Sequence, residues 1–165
     1  MTAEKPITRE RLLRILESQA QKTAQAIDGL DEVTLNLPAR DDGWTAKDIL
    51  GHMASAHEGM LALAQGRIPA GHAAAPFDLD QHNEAQRQRA RNLPLVQVLA
   101  WLEAARGNVR AYIEVVDEAE YGDLVHTPWM GDHPKGQFLM YPALHEGGHR
   151  AELEAWRARL QAEAL

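Results

Sequence analysis

"HEGGHRAEL" (145–153) decides how the rest of the chain is read. His145-Glu146-Gly147-Gly148-His149 spells H-E-x-x-H, the pattern with which zincin proteases hold zinc. On a helix, residues four apart share a face with Cβ atoms about 5–6 Å apart, so His145 and His149 can grip one ion. Two imidazoles alone make a weak site; a catalytic zinc asks for three protein ligands and an open position. The extended zincin pattern would put Gly at 152 and His at 155, where this chain has Glu152 and Ala155. Residues 150–165 continue one helical pattern and leave no later helix to supply a ligand. A protease also needs a sheet to hold an extended peptide, and the only strand-like run is the short "FLMY" (138–141). A zincin-type protease is therefore set aside, and the pair has to find its third ligand upstream.

Upstream, helical periodicity dominates. In "ITRERLLRILESQAQKTAQAIDGL" (7–30), apolar residues recur at three- and four-residue spacing, with Thr8 as cap and Ile7 and Leu12 as a hydrophobic staple. Residues 31–43 read as a connector without a clear period. "WTAKDILGHMASAHEGMLALAQG" (44–66) announces a helix: Thr45 is the N-cap, Asp48 stands at the capping-box position, and Trp44 and Ile49 flank them. Residues 67–78 read as a loop, and Asp80 as the cap of a short polar helix, "QHNEAQRQRARN". Pro94 suits the first turn of the next helix, which runs to about residue 120 with a weak spot at Gly107-Asn108. Residues 121–136 are a second turn-rich connector, and the last helix spans about 137–161. The expected fold is all-α: a single domain over 1–165, a four-helix bundle with a short extra helix in a connector.

In bundles, metal sites are built from side chains on facing helices. His52 falls about 60° from Ile49, at the edge of its helix's inward face, whereas His57 lies about 140° from His52, so those two cannot share a ligand. His52, His145 and His149 together make a facial three-histidine set with remaining positions open to water or substrate. The alternative is three unrelated histidines, since the chain holds eight among 165 residues. Glu146 is a candidate catalytic base that could orient a water, although about 100° of helix rotation from His145 points it sideways. His57, His72, His82, His126 and His133 read most simply as surface or loop residues. Trp44, Trp101, Trp129 and Trp156 read as core or interface packing. The polar helix reads as solvated, although Arg87, Arg89 or Arg91 could meet a carboxylate substrate.

Three stretches carry a family resemblance over nearly the whole chain: "GWTAKDILGHMASAHE" (43–58), "DLDQHNEAQRQR" (78–89) and "HEGGHRAELEAWR" (145–157). They resemble the DinB/YfiT-like superfamily of metal-dependent four-helix bundles, relatives of bacillithiol- and mycothiol-dependent transferases and of maleylpyruvate isomerase. The resemblance implies metal ligands at His52, His145 and His149, a low-molecular-weight thiol as possible co-substrate, and a homodimer. Two residue choices sit oddly in the last motif. Pro142 removes a helix hydrogen bond three residues before His145, and Gly147 and Gly148 each cost up to about 1 kcal/mol against Ala inside a helix.

Composition narrows the chemistry. A net charge of −7 disfavours nucleic acid and anionic membranes as partners. With no cysteine, the chain has no thiolate ligand and no nucleophilic thiol of its own. The polar start "MTAEKPITRE" and the lack of a long apolar run point to a cytoplasmic protein. Neutral imidazoles favour zinc, nickel or ferrous iron over magnesium or calcium. The expectation is a metal-dependent enzyme acting on a small molecule, of the thiol (S-) transferase or hydrolase kind. The alternative is a non-enzymatic, stress-linked binding or structural dimer, with a structural metal or none.

Overall fold

The computed structural model describes residues 6–67, 78–127 and 131–163. Four long helices form the body: α1 (Arg9–Ile27), α3 (Ala46–Ala64), α5 (Leu95–Val115) and α6 (Lys135–Glu163), with a single-turn α2 (Glu32–Leu35) and a flanking α4 (Leu79–Arg91) in the connectors. The protein is a four-helix bundle with an extra helix, as expected. Helices α3 and α1 each pack against both α5 and α6, so α1 and α3 stand on one diagonal and α5 and α6 on the other.

The helix starts follow local chemistry. Thr8 accepts a hydrogen bond from the Arg11 backbone N–H at 3.2 Å. At α3 the Thr45 hydroxyl accepts from the Asp48 N–H at 3.1 Å, and Asp48 accepts in return from the Thr45 N–H at 3.0 Å. That reciprocal box satisfies two N–H groups the helix cannot serve itself. Asp48 is also bound by Arg91 from α4 at 3.1 Å. The cap of α4 is Asp78, which accepts from the Gln81 N–H at 2.9 Å, and not Asp80, which sits in the first turn. Both residues have the right chemistry, and only the extended backbone at 78 selects between them. Helix α4 lies flush on α3 because Gly51 leaves room: a Cβ there would stand 2.5 Å from that of Ala90.

Two connectors carry more order than periodicity suggests. Asp31 caps the one-turn α2 within residues 31–43. Residues 121–136 hold a small antiparallel hairpin, β1 (Leu124–Thr127) with β2 (Gly131–Pro134), while "FLMY" is helical inside α6. Strands of four residues are too short to show alternation, and the apolar "FLMY" alone cannot tell a strand from a buried helix segment. Helix α6 runs without interruption through Pro142, Gly147 and Gly148.

The interior holds two apolar clusters stacked along the bundle. One gathers Ile49, Leu50, Met53, Trp101, Leu102, Leu153 and Trp156; the other gathers Leu12, Leu16, Leu61, Ile113, Phe138 and Leu139. Trp101 and Trp156 are thus core residues, as expected, whereas Trp129 and His72 lie outside the described residues, as does most of the 67–78 loop.

Candidate metal centre

Helix α3 delivers His52 and α6 delivers His145 and His149, one turn apart. His145 Nε2 lies 3.2 Å from His52 Nε2 and 3.2 Å from His149 Nε2. Candidate ligand nitrogens of all three residues lie within 4.8 Å of one another, and among the described residues no carboxylate or further imidazole joins the set. Nitrogens each about 2.0–2.1 Å from one ion lie roughly 3.0–3.4 Å apart at facial or tetrahedral angles. The spacing therefore fits a divalent transition metal and leaves coordination positions without a protein ligand.

The protonation states suit the same use. Burial, then the electrostatic influence of His149, His82 and Arg40, holds His52 down to about 4 from an ordinary 6.5. Burial, then His149 and His52, pushes His145 down to about 3. Both are neutral at pH 7, the form that binds metal. On the outer side, the Glu152 carboxylate stands 3.2 Å from His149 Nδ1, close enough to orient the ring though not aligned as a hydrogen bond. Tyr141 stacks on His145 with ring centroids 5.4 Å apart, and Trp44 meets His52 edge-on at 5.5 Å. These rings restrict rotation of the imidazoles.

His52 also forms part of the wall of an open cleft of about 260 Å³, lined by Arg40, Asp42, Trp44, Asp80, Asn83 and Glu84. Its charges are partly neutralised within the protein, with Arg40 paired to Asp42 at 2.9 Å. The arginines proposed for a carboxylate substrate are engaged elsewhere. Arg87 and Arg91 both donate to the Gly43 carbonyl and face Asp48, and Arg89 lies 3.7 Å over the Trp101 ring. The polar helix is thus docked against α3 on one side, where full solvation was expected.

Glu146 does not belong to this centre. It is fully buried, and both carboxylate oxygens are taken. Arg106 grips it in two places, through Nε at 3.1 Å and through its terminal nitrogen, and the Thr23 hydroxyl donates to Oε1 at 2.6 Å. A carboxylate so held has no freedom to serve as a general base beside the three histidines. His57 is the second correction. It is a fully buried core residue, with Nδ1–H donating to the Met53 carbonyl at 2.8 Å and Nε2 standing 3.3 Å from Glu146. Burial pushes its pKa down, outweighing the Met53 carbonyl and Glu146. Its rotation of about 140° from His52 kept it off the metal face, but that rotation turned it into the bundle and not toward solvent. The remaining described histidines are less buried: His126 pairs with Asp132 at 2.7 Å on the exposed hairpin, His133 contacts Gln137 at 3.2 Å, and His82 is half-buried. Arg106 and Thr23 carried no sequence signal beyond falling on inward positions of α5 and α1.

Comparison with known proteins agrees with the fold. The family model described as the DinB superfamily matches residues 15–163. A Geobacillus thermodenitrificans (strain NG80-2) protein named "Putative metal-dependent hydrolase" is 31% identical over 101 residues, 61% of this chain and 56% of its own length. A Geobacillus kaustophilus (strain HTA426) protein of the same description is 27% identical over 136 residues, 81% of this chain and 75% of its own. Less than two thirds of the first relative is therefore spanned. The structure of YfiT from Bacillus subtilis, described as a four-helix bundle of unusual topology, superposes with a TM-score of 0.76 at 18% identity, covering 98% of this chain and 92% of that one.

Proposed function

This chain belongs to the DinB superfamily, and on that premise we propose that it is a metal-dependent enzyme acting on a small molecule, of the hydrolase or thiol (S-) transferase kind. The observation that carries this reading is the convergence of three imidazole nitrogens from two helices beside a cleft, with no fourth protein ligand among the described residues. A purely structural metal would be closed by protein on all sides.

His52, His145 and His149 would hold zinc, nickel or ferrous iron. When bound, such an ion supplies Lewis acidity and lowers the pKa of a water or a low-molecular-weight thiol beside it. Every other contribution comes from the chain. Desolvation keeps His52 and His145 unprotonated. Trp44 and Tyr141 hold the rings in place. The cleft admits a small molecule on the His52 side, and its mixture of Arg40, Asp42, Asp80 and Asn83 suits a polar substrate. The names of the Geobacillus relatives favour water as the attacking group; the lack of any cysteine leaves room for an external thiol.

Metal analysis of protein purified without an affinity tag tests the reading, together with His149→Ala. The variant should lose metal affinity by about a hundredfold or more while keeping its helical circular dichroism, because two imidazoles make a weak site. Unchanged metal content in His149→Ala would remove the centre from these residues. Turnover of model esters and amides, with and without added thiols, then separates hydrolysis from transfer.

A further inference from the structure

Between the two apolar clusters lies one polar layer, and each of the four bundle helices contributes a single residue to it. Thr23 comes from α1, His57 from α3, Arg106 from α5 and Glu146 from α6, all of them buried. Along every helix the layer separates residues of one apolar cluster from residues of the other: Leu16 and Ala26 flank it on α1, Met53 and Leu61 on α3, Leu102 and Val109 on α5, Ala143 and Leu153 on α6. Glu146 is the hub. It receives Arg106 across the bundle diagonal, Thr23 from one side, and stands 3.3 Å from His57 on the other.

We propose that Glu146 is a positioning residue: the buried layer locks the rotation and axial register of α6 so that His145 and His149 face His52. The need for such a lock is visible in α6 itself. Pro142 has no N–H to donate to residue 138, so the helix lacks a backbone bond one turn before His145. Gly147 and Gly148 give the ligand turn the weakest helix propensity apart from proline. Gly147 also lies close to α1, where a Cβ would come 3.1 Å from the Gln19 side chain and push it by a few tenths of an ångström. The segment that must place two imidazoles to within a few tenths of an ångström is thus poorly defined by its own backbone. Apolar contacts tolerate sliding and rotation, whereas a carboxylate held by a two-point guanidinium contact and a hydroxyl does not. A buried polar group that specifies register is the best-attested use of such a cost. Rotation of α6 that breaks the layer also turns the two histidines away from α3.

This inference rests on the metal reading above, and its test separates the two. Zinc affinity is measured by chelator competition, and the cobalt-substituted visible spectrum reports ligand geometry, for the parent, Glu146→Gln, Thr23→Val and Ile113→Ala. Ile113→Ala opens a cavity two turns along α5 from Arg106, within the apolar cluster away from the three histidines, and controls for loss of stability alone. All are compared at a temperature where circular dichroism shows them folded. Glu146→Gln should bind zinc at least tenfold more weakly, Thr23→Val about threefold, both with altered cobalt spectra, and Ile113→Ala should match the parent in both. If Glu146→Gln does not fold, Thr23→Val decides. Parent-like affinity and spectra in the folded layer variants overturn the lock, as does an equal loss in Ile113→Ala. A parent that binds neither ion overturns the metal reading, and the lock with it.

Discussion

His145 and Glu146 are consecutive on α6, yet they serve clusters of opposite kind. The three-histidine cluster is half-buried, holds His52 and His145 neutral at pH 7, and brings three imidazoles together with no further carboxylate or imidazole joining them among the described residues. The Thr23–His57–Arg106–Glu146 cluster is wholly buried and is built around an ion pair, with Arg106 and Thr23 both donating to Glu146. One is unfinished without something from outside, and the other answers its carboxylate from within the bundle. The difference follows from about 100° of helix rotation, which sends one side chain to the α3–α6 seam and the next into the bundle axis. Within a single turn, chemistry and scaffold are therefore adjacent in sequence and separate in role.

The strongest way to break the contrast is to delete a member of the ion-paired cluster. Arg106→Met leaves the Glu146 carboxylate buried without its cation, which should cost roughly 3–5 kcal/mol in urea unfolding. Deleting a member of the unfinished cluster should cost far less: His149→Ala, judged on metal-free protein, should stay within about 1 kcal/mol of the parent. Equal losses would erase the distinction between scaffold and site.

Acid sharpens it next. Burial lowers the folded pKa of His52 to about 4 and of His145 to about 3, below the 6.5 they regain on unfolding. Between those limits the unfolded chain binds more protons than the native one, so stability present above pH 6.5 is lost as pH falls toward the folded values. His57 is shifted the same way and adds to the loss. Metal-free protein should lose on the order of 2 kcal/mol between pH 7 and pH 5, allowing for the partial exposure of the two site histidines. His52→Gln should flatten that slope by removing one titrating group. A slope unchanged in the variant would mean that burial of this imidazole is not what sets it.

The smallest effect tests the weak turn that both clusters share. Gly148 has open space where a Cβ would go, so Gly148→Ala should raise the thermal midpoint, by up to about 1 kcal/mol in stability. Gly147→Ala meets Gln19 and should gain less or lose. A gain in both would show that α1 yields to α6 more readily than the contact distance implies.

Much of this protein was legible along the chain because much of it is local. The capping box at Thr45 and Asp48, the four-residue spacing of His145 and His149, and the 140° between His52 and His57 are all consequences of helix geometry acting within a few residues. The hairpin was not legible, because four-residue strands carry too short a pattern, and Asp78 outcompeted Asp80 as a cap on backbone conformation alone. The burial of His57 was missed for a related reason. Periodicity gave its rotation from His52 and it was read as a surface residue, because a polar side chain aimed inward is tolerable only if partners meet it there, and the groups that meet it belong to residues 53 and 146.

What the amino-acid order determined by itself was therefore the four long helices and the polar one beside them, their boundaries to within about a turn and a half, and the presence of an ion-gripping pair on the last. What only the tertiary structure decided was the contacts that no local pattern announces, Arg106 and Thr23 with Glu146, and the distances at which His52, expected from its helix face and the family resemblance, meets the pair. Helical hydrogen bonds act over four residues and are written locally. The register of one helix against another depends on contacts between residues 40 to 123 positions apart, and those exist only once the bundle has closed.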